Sequence, residues 1–313
     1  MVDRESVLWT YRLLLGREPE NEQVVQAHCQ APDRATLVRS ALGSPEFMLK
    51  NPTPIKLSGR DVWVEIADDV LLKVNLADDF GVSGPVIMGS FEPSETEFVR
   101  RNVSPGSVCA DIGANLGYFT MIMASLAGDI GTVLSFEPNP NIIPYLRASA
   151  KLNGFSNNIR QYELGLSDRP GRVWLQFAQH TNNWGGATLN FGPQTLEGHV
   201  NVEVALDVFD HVAGDLSRLD FIKIDVEGAE FLAMQGAAET LTRLKPTILS
   251  EIHVAQLRRV SNVSGEEYIA LMQGFSYHCF ELLENGKISD RSIVRPSREL
   301  ANVAFLHSER AAS

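Results

Sequence analysis

The chain is poor in basic residues. Its 27 Lys and Arg stand against 39 Asp and Glu, a net charge of -12. Holding a nucleic-acid backbone takes a basic face, so a nucleic-acid partner is not expected. Cysteine is scarce too. Cys29, Cys109 and Cys279 lie far apart, with neither metal-ligand spacing nor a disulfide framework, and that suits a reducing cytoplasm. Long apolar runs are missing. Stretches such as residues 120–127 are too short to cross a bilayer, so no membrane span is expected. The first residues lack the basic-then-apolar pattern of a signal peptide. Internal repeats and low-complexity segments are also lacking.

What is present suffices for a core. Hydrophobic residues make up 44% and charged residues 21% of 313 residues, enough for one large domain plus a small one. Residues 1–50 read as a small all-α module. Leu8, Tyr11, Leu14 and Leu15 recur at helical spacing until Gly16-Arg-Glu-Pro19 breaks the pattern. Val24, Val25 and Ala27 mark a second helix. A third follows Asp33, a candidate N-cap, and carries Leu37, Val38, Ala41 and Leu42. The module resembles small helical domains that accompany bacterial surface-glycan proteins, on residues 11–19 and 37–47. Such a module is expected to dock a partner or to self-associate. Asn51-Pro-Thr-Pro54 reads as its linker, leaving residues 55–313 as the main domain.

Residues 55–90 alternate like strands. From there strand and helix patterns alternate. Strands are expected at 108–110, 132–136, 159–164, 221–224 and 247–250, and helices at 92–101, 118–126, 142–152, 227–241 and 266–272. That is the signature of an α/β fold with a parallel sheet wrapped by helices. Residues 172–206 interrupt it and read as an antiparallel excursion. Residues 276–283 and 303–306 are expected to pair antiparallel at the sheet edge.

Val108-Cys-Ala-Asp111-Ile-Gly113-Ala-Asn115-Leu-Gly117-Tyr118 is the most informative stretch. A buried strand runs into a turn of small residues, and a helix opens behind it. Glycines let the backbone approach a ligand, and free N–H groups at the helix start face the same crevice. The next strand ends in Glu137, placed to accept hydrogen bonds from both hydroxyls of a ribose. A nucleoside-containing cofactor is therefore expected. A dinucleotide fingerprint would carry a third glycine where Tyr118 stands. The loop thus favours S-adenosylmethionine, which has no pyrophosphate to cradle, over a nicotinamide cofactor.

Several ordered pieces resemble the FkbM-type S-adenosylmethionine-dependent methyltransferases. They are Phe91-Glu-Pro-Ser-Glu-Thr-Glu97, Asp111 through Thr120, Phe136-Glu-Pro-Asn139, Leu166-Ser-Asp-Arg-Pro-Gly171, Leu206-Asp207 and Lys223-Ile-Asp-Val-Glu-Gly-Ala-Glu230. The resemblance implies a Rossmann-like seven-stranded class I methyltransferase sheet with helices on both faces. It implies O-methylation of a hydroxyl on a sugar, glycan or natural product. It places Asp111, Gly113, Asn115 and Gly117 around the methionine part of the cofactor, Glu137 on the ribose and Glu163 near the adenine edge, with Glu92, Glu95 and Thr96 closing over the tail.

Asp225 stands at the tip of the fourth strand, where ligands of open parallel sheets collect. Glu227 and Glu230 are expected on one face of the helix that follows. Glu251 and His253 share a strand face and are expected to meet Asp225 in one crevice. His253 is the expected general base, oriented by Glu251 or Asp225. Asp225, Glu227, Glu251 and His253 could instead hold a divalent cation on the acceptor hydroxyl; no metal is assigned. Asn183 and Trp184 lie in a glycine-rich polar loop suited to a ring-bearing acceptor, with Glu227 nearby. Two competing readings remain: a nicotinamide oxidoreductase on a similar sheet, or an inactive binding or scaffold protein.

Overall fold

The computed structural model describes residues 2–42, 44, 46–47, 56–58, 61–76, 78, 81–178, 186–190 and 199–311. Contacts divide the chain into two compact units, Met1–Phe91 and Glu92–Ser313.

In the first unit a helix over Arg4–Thr10 continues as a π-turn over Tyr11–Leu15 and stops at Gly16, which takes φ 63°. Helices Glu22–Cys29 and Arg34–Leu42 follow. The Asp33 carboxylate accepts the Thr36 N–H at 2.7 Å, which satisfies a donor that the first helical turn leaves unpaired. Val7, Leu15, Val25, Leu37 and Leu42 are buried. Strands β1 (Lys56–Ser58), β2 (Asp61–Ala67) and β3 (Val70–Asn75) form an antiparallel sheet. By internal contacts these strands group with the helices.

The second unit is built on β4 (Val108–Ile112), β5 (Thr132–Phe136), β6 (Ile159–Tyr162), β11 (Phe221–Ile224), β12 (Thr247–His253), β13 (Tyr277–Glu281) and β14 (Leu300–His307). Their order is β13-β14-β12-β11-β4-β5-β6. The five central and distal strands run parallel, and β14 runs antiparallel to both neighbours. The sheet is thus seven-stranded, as the resemblance implies. β4 and β5 are buried along almost their whole length, as expected of strands covered on both faces.

Alternation sorts the side chains. Ala110, Ile112, Ile222, Ile224, Ile248 and Ile252 join the main core, packing with residues of the helices Phe209–Ala213, Glu230–Gln235 and Gly265–Gly274. Each of these buried isoleucines contributes roughly 1.5–3 kcal/mol. The opposite face meets the helices Pro93–Asn102 and Tyr118–Ala127, with Phe98 against Phe221 at 6.1 Å between ring centroids. Strand order reverses between β4 and β11. Chain crossovers leave a crevice at that switch point, beyond the strand C-termini.

The described residues within 172–206 form the expected antiparallel excursion. β7 (Gly165–Leu166), β8 (Gly171–Ala178), β9 (Thr188–Asn190) and β10 (His199–Asp207) make a second sheet in the order β7-β10-β8-β9. Val173, Leu175, Val204 and Leu206 form its small core.

One local expectation needs correction. The single helix over 227–241 is two helices, Glu230–Gln235 and Ala238–Leu244, preceded by a loop. Glu227 sits in that loop at φ 55°, so it does not share a helical face with Glu230. Gly228 follows at φ 101°, with the Gln256 carbonyl oxygen 2.4 Å from where a Cβ would stand. Two consecutive left-handed residues cannot begin a helix.

Candidate active site

Asp111 lies inside β4 and is buried. Thr120 Oγ1 donates to its Oδ2 at 2.5 Å. Oδ1 is buried and has no partner among the described residues. Burial pushes the carboxyl up from its ordinary value, partly offset by the Lys223 ammonium and the Thr120 hydroxyl. Gly113 turns the chain at φ 83°, and Asn115 takes φ 52°. The Gly113 and Ala114 N–H groups both donate to the Phe136 carbonyl, at 3.1 and 2.9 Å. This binds the tips of β4 and β5 together. Gly117, at φ 93°, leads into the Tyr118–Ala127 helix.

Glu137 follows β5 and is buried. The Asn115 N–H donates to its Oε2 at 2.9 Å, and the Asn139 N–H to its Oε1 at 2.7 Å. These bonds fix the carboxylate plane. A carboxylate oxygen has more than one lone pair, so each oxygen can still accept from a ligand. Burial pushes Glu137 up to about 7 despite those two amides.

Glu137 borders a cleft of about 600 Å³, and Ile112, next to Asp111, lines it too. Gly113, Asn115 and Glu137 line one part of it, and Asp225, Val226 and Glu227 another. Leu175, Ala187 and Leu189 of the second sheet add an apolar wall. The antiparallel excursion thus furnishes a flat apolar surface beside the acid on β5.

On the other side of the switch point, Lys223 and Asp225 alternate onto one face. Lys223 sits directly opposite Asp111 in register. Its Nζ donates to Asp225 Oδ2 at 3.1 Å and lies 4.9 Å from the Phe119 ring centroid. Burial disfavours the ammonium, but Asp225, Glu92 and Asp111 outweigh it and hold Lys223 above the usual lysine range. Glu92 caps the Pro93–Asn102 helix at φ 40°. Burial first, then Asp225, Glu95 and Asp111, raises it to about 7 against the pull of Lys223. Thr96 Oγ1 lies 3.2 Å from the Tyr118 hydroxyl.

The Ile224–Ser250 pairing places Asp225 beside Glu251, and Glu251 stands opposite Asn302 of β14. Burial, then Asp225 and Glu227, pushes Glu251 up to about 9. The Glu227 carboxylate accepts from Gln256 Nε2. Glu230 Oε1 accepts the Val226 and Gly228 N–H groups at 2.9 and 3.3 Å, so this acid braces the Asp225 loop from below. His253 closes β12, and its Nδ1 is buried with no hydrogen bond among the described residues.

Most sequence-predicted residues therefore converge on the two sides of one switch point. Glu163 follows β6, where the next residue, Leu164, lines the cleft, and its half-exposed carboxylate pairs with Arg147. Asn183 and Trp184 lie outside the described residues. Sequence reasoning missed Lys223, Gln256 and Asn302. A lysine between isoleucines in a buried strand was the readable signal, because a buried ammonium requires counter-charges.

The raised carboxyls make stability depend on pH. Glu137 and Glu230 titrate near 7 when folded, against 4.5 ordinarily. Between those values the folded chain binds more protons than the unfolded chain, so stability falls as pH rises. At roughly 1.4 kcal/mol per pKa unit, each costs on the order of 3 kcal/mol once ionised. Thermal melting of the ligand-free chain is expected to be highest near pH 5 and to drop toward pH 8. A melting temperature that climbs across that window contradicts this.

The sheet order, with one reversed strand next to the edge, is that of the class I methyltransferase fold. The profile of the methyltransferase FkbM domain matches residues 111–279, more than half of the chain, and the chain belongs to the FkbM methyltransferase family. That membership implies S-adenosylmethionine as methyl donor. Methyltransferase 1 of Beauveria bassiana is 28% identical over 192 residues, covering 52% of this chain and 74% of that protein. The AMB antimetabolite synthetase AmbE of Pseudomonas aeruginosa is 26% identical over 235 residues, covering 60% of this chain but only 11% of that far longer protein. The solved methyltransferase FkbM from Methylobacillus flagellatus KT aligns at 13% identity and a TM-score of 0.42, covering 95% of this chain and 58% of that one.

The residues present fit the implied cofactor. Asp111 Oδ1 is a buried oxygen with no partner among the described residues. At Gly113 a Cβ would stand 1.9 Å from the Asp225 carbonyl oxygen, so bare backbone is required there. Carboxylates on both sides of the switch point suit a cationic sulfonium.

Proposed function

We propose that this chain is an O-methyltransferase for a hydroxyl on a sugar, glycan or natural product. The observation that carries the reading is the single cleft bordered by Glu137 on one side and by Asp225 and Glu227 on the other. When bound, S-adenosylmethionine supplies an activated methyl group on a sulfonium. Asp111, Gly113, Asn115 and Gly117 hold its amino-acid end, with Glu92 and Thr96 over it. Glu137 takes the ribose hydroxyls. Glu163, whose half-exposed carboxylate also pairs with Arg147, lies near the adenine edge.

The acceptor lies at the Asp225 side, with Glu227 beside it. Asn183 and Trp184 remain proposed acceptor contacts on the strength of their loop's composition alone. His253 takes the hydroxyl proton as the acceptor oxygen gains the methyl group. Its Nδ1 makes no hydrogen bond among the described residues, and a positioned base speeds transfer by roughly 10²–10⁴. Alignment within the cleft supplies much of the rest.

The test is transfer of labelled methyl from S-adenosylmethionine into glycan and small-molecule fractions of a cell extract. Label is expected in an alkali-stable ether on a hydroxyl-bearing acceptor. Label found only on amines, or only in protein, overturns the O-methylation reading. Chelation of divalent cations is expected to leave transfer intact; loss that magnesium restores would establish a metal-assisted route instead.

A further inference from the structure

We propose that Gln256 is a positioning residue for the acceptor: it holds the Glu227 carboxylate in the cleft, where that carboxylate selects acceptors with a second hydroxyl to donate. The inference rests on the methyltransferase reading above and adds a feature of the acceptor. Glu227 lines the cleft together with Asp225. It stands outside any helix at φ 55°, in the left-handed region that a residue with a Cβ enters only at a cost. Such a conformation persists where its surroundings over-determine it.

Those surroundings come mainly from the helix Val254–Val260, which directly follows β12, and from Ser261 at its end. The Gln256 carbonyl approaches Gly228 and leaves no room there for a Cβ. Ser261 Oγ donates to the Gly228 carbonyl at 2.6 Å. From the other side Glu230 Oε1 accepts the Val226 and Gly228 N–H groups. The loop backbone is thus pinned on both sides of Glu227 by bonds that leave its side chain untouched. Among the described residues, the Gln256 Nε2 amide makes the only hydrogen bond to that side chain, at Glu227 Oε2.

The arrangement carries a penalty for Gln256 itself, whose Oε1 is buried with no partner among the described residues. An apolar side chain of similar length would fill the space without an unsatisfied oxygen, so packing alone does not account for the amide. Its use is to point a donor at Glu227. With Oε2 engaged, Glu227 Oε1 is left to accept, and a carboxylate only accepts. Its ligand is therefore a donor, a hydroxyl other than the one that gives its proton to His253. A polyhydroxylated acceptor such as a sugar ring has one. A lone alcohol on a hydrocarbon frame does not, and a carboxylate or phosphate at that place is repelled.

Methyl-transfer kinetics of the full chain test the role of Gln256. The probe is the hydroxyl-bearing fraction of cell extract that the wild type labels from S-adenosylmethionine, added as a dilution series. Q256M is expected to raise the half-saturating amount of that fraction about tenfold, the worth of one hydrogen bond. The rate at saturation is expected to stay within about twofold, the mark of lost binding rather than lost chemistry. Calorimetry with S-adenosylhomocysteine is expected to give wild-type affinity, because Gln256 does not line the cleft. In an E227A background, where no carboxylate remains to be placed, Q256M is expected to add nothing. An unchanged half-saturating amount in Q256M overturns the proposal and leaves the methyltransferase reading standing. So does an equal loss in both backgrounds, which would make Gln256 a brace of the loop rather than of Glu227. Failure of the wild type to label any hydroxyl overturns the methyltransferase reading itself. Should Q256M fail to fold, Q256E decides: it keeps the length, cannot donate as a carboxylate, and is expected to weaken the acceptor at least as much.

Discussion

Replacing Gly113 with Ala is expected to abolish measurable cofactor binding. A Cβ there would stand 1.9 Å from the Asp225 carbonyl oxygen and 2.9 Å from its carbonyl carbon. Both are backbone atoms, so no side-chain rotation relieves the overlap. The left-handed φ of 83° adds a further cost on the order of 1 kcal/mol. The strand tips must separate, and the Gly113 and Ala114 bonds to the Phe136 carbonyl stretch with them. That moves Asn115 away from Glu137 and Asp225 away from the cleft. Misplacement by about 1 Å can cost about 10²-fold at such a site. Titration calorimetry with S-adenosylhomocysteine measures it. Gly154→Ala is the control, since it has φ 76° but nothing within 4 Å of its added Cβ. It pays the conformational cost alone and is expected to bind normally. Equal affinities for the two variants would mean that the Gly113 close approach does not shape the site.

Replacing His253 with Ala is expected to lower the methyl-transfer rate by roughly 10²–10⁴. Cofactor affinity should change little, because His253 is not among the residues lining the cleft beside Glu137. The imidazole stands at the end of β12, two residues beyond Glu251 and on its strand face. The pH–rate profile separates a lost base from a lost fold. The wild-type acidic limb should vanish in the variant while the melting temperature stays close to the wild-type value. Retention of full transfer by H253A would assign the proton to another acceptor, with Asp225 the first to examine.

Much of this was legible in the residues. β4, β5 and β11 are short apolar runs bounded by turns, and the sequence placed β5 and β11 at the residues they occupy. A strand buried on both faces tolerates little but apolar side chains, so its limits are sharp. Asp33 announced a helix start by chemistry, and its side chain makes the bond a cap requires. The loop after β11 was hidden. Its residues Val226-Glu-Gly-Ala-Glu230 resemble a helix start, and only the approach of the Gln256 carbonyl to Gly228 shows why the chain turns left-handed there. The pairing of Glu163 with Arg147 was hidden for a similar reason, because Arg147 comes from a different element. The bond from Asn302 to Glu95 joins residues 207 apart and leaves no local trace. Strand patterns carry their own boundaries, whereas polar partners at strand tips depend on which strands end side by side.

The central claim is that β4 and β5 seat a methyl-donor nucleoside, with Glu137 holding its ribose. Calorimetric titration of the full chain and of E137A with S-adenosylhomocysteine tests it most directly. The wild type is expected to bind one molecule per chain, and the variant to bind about 10–100-fold more weakly, as expected for losing charge-assisted hydrogen bonds. No binding to the wild type, or equal binding to both proteins, would contradict the account.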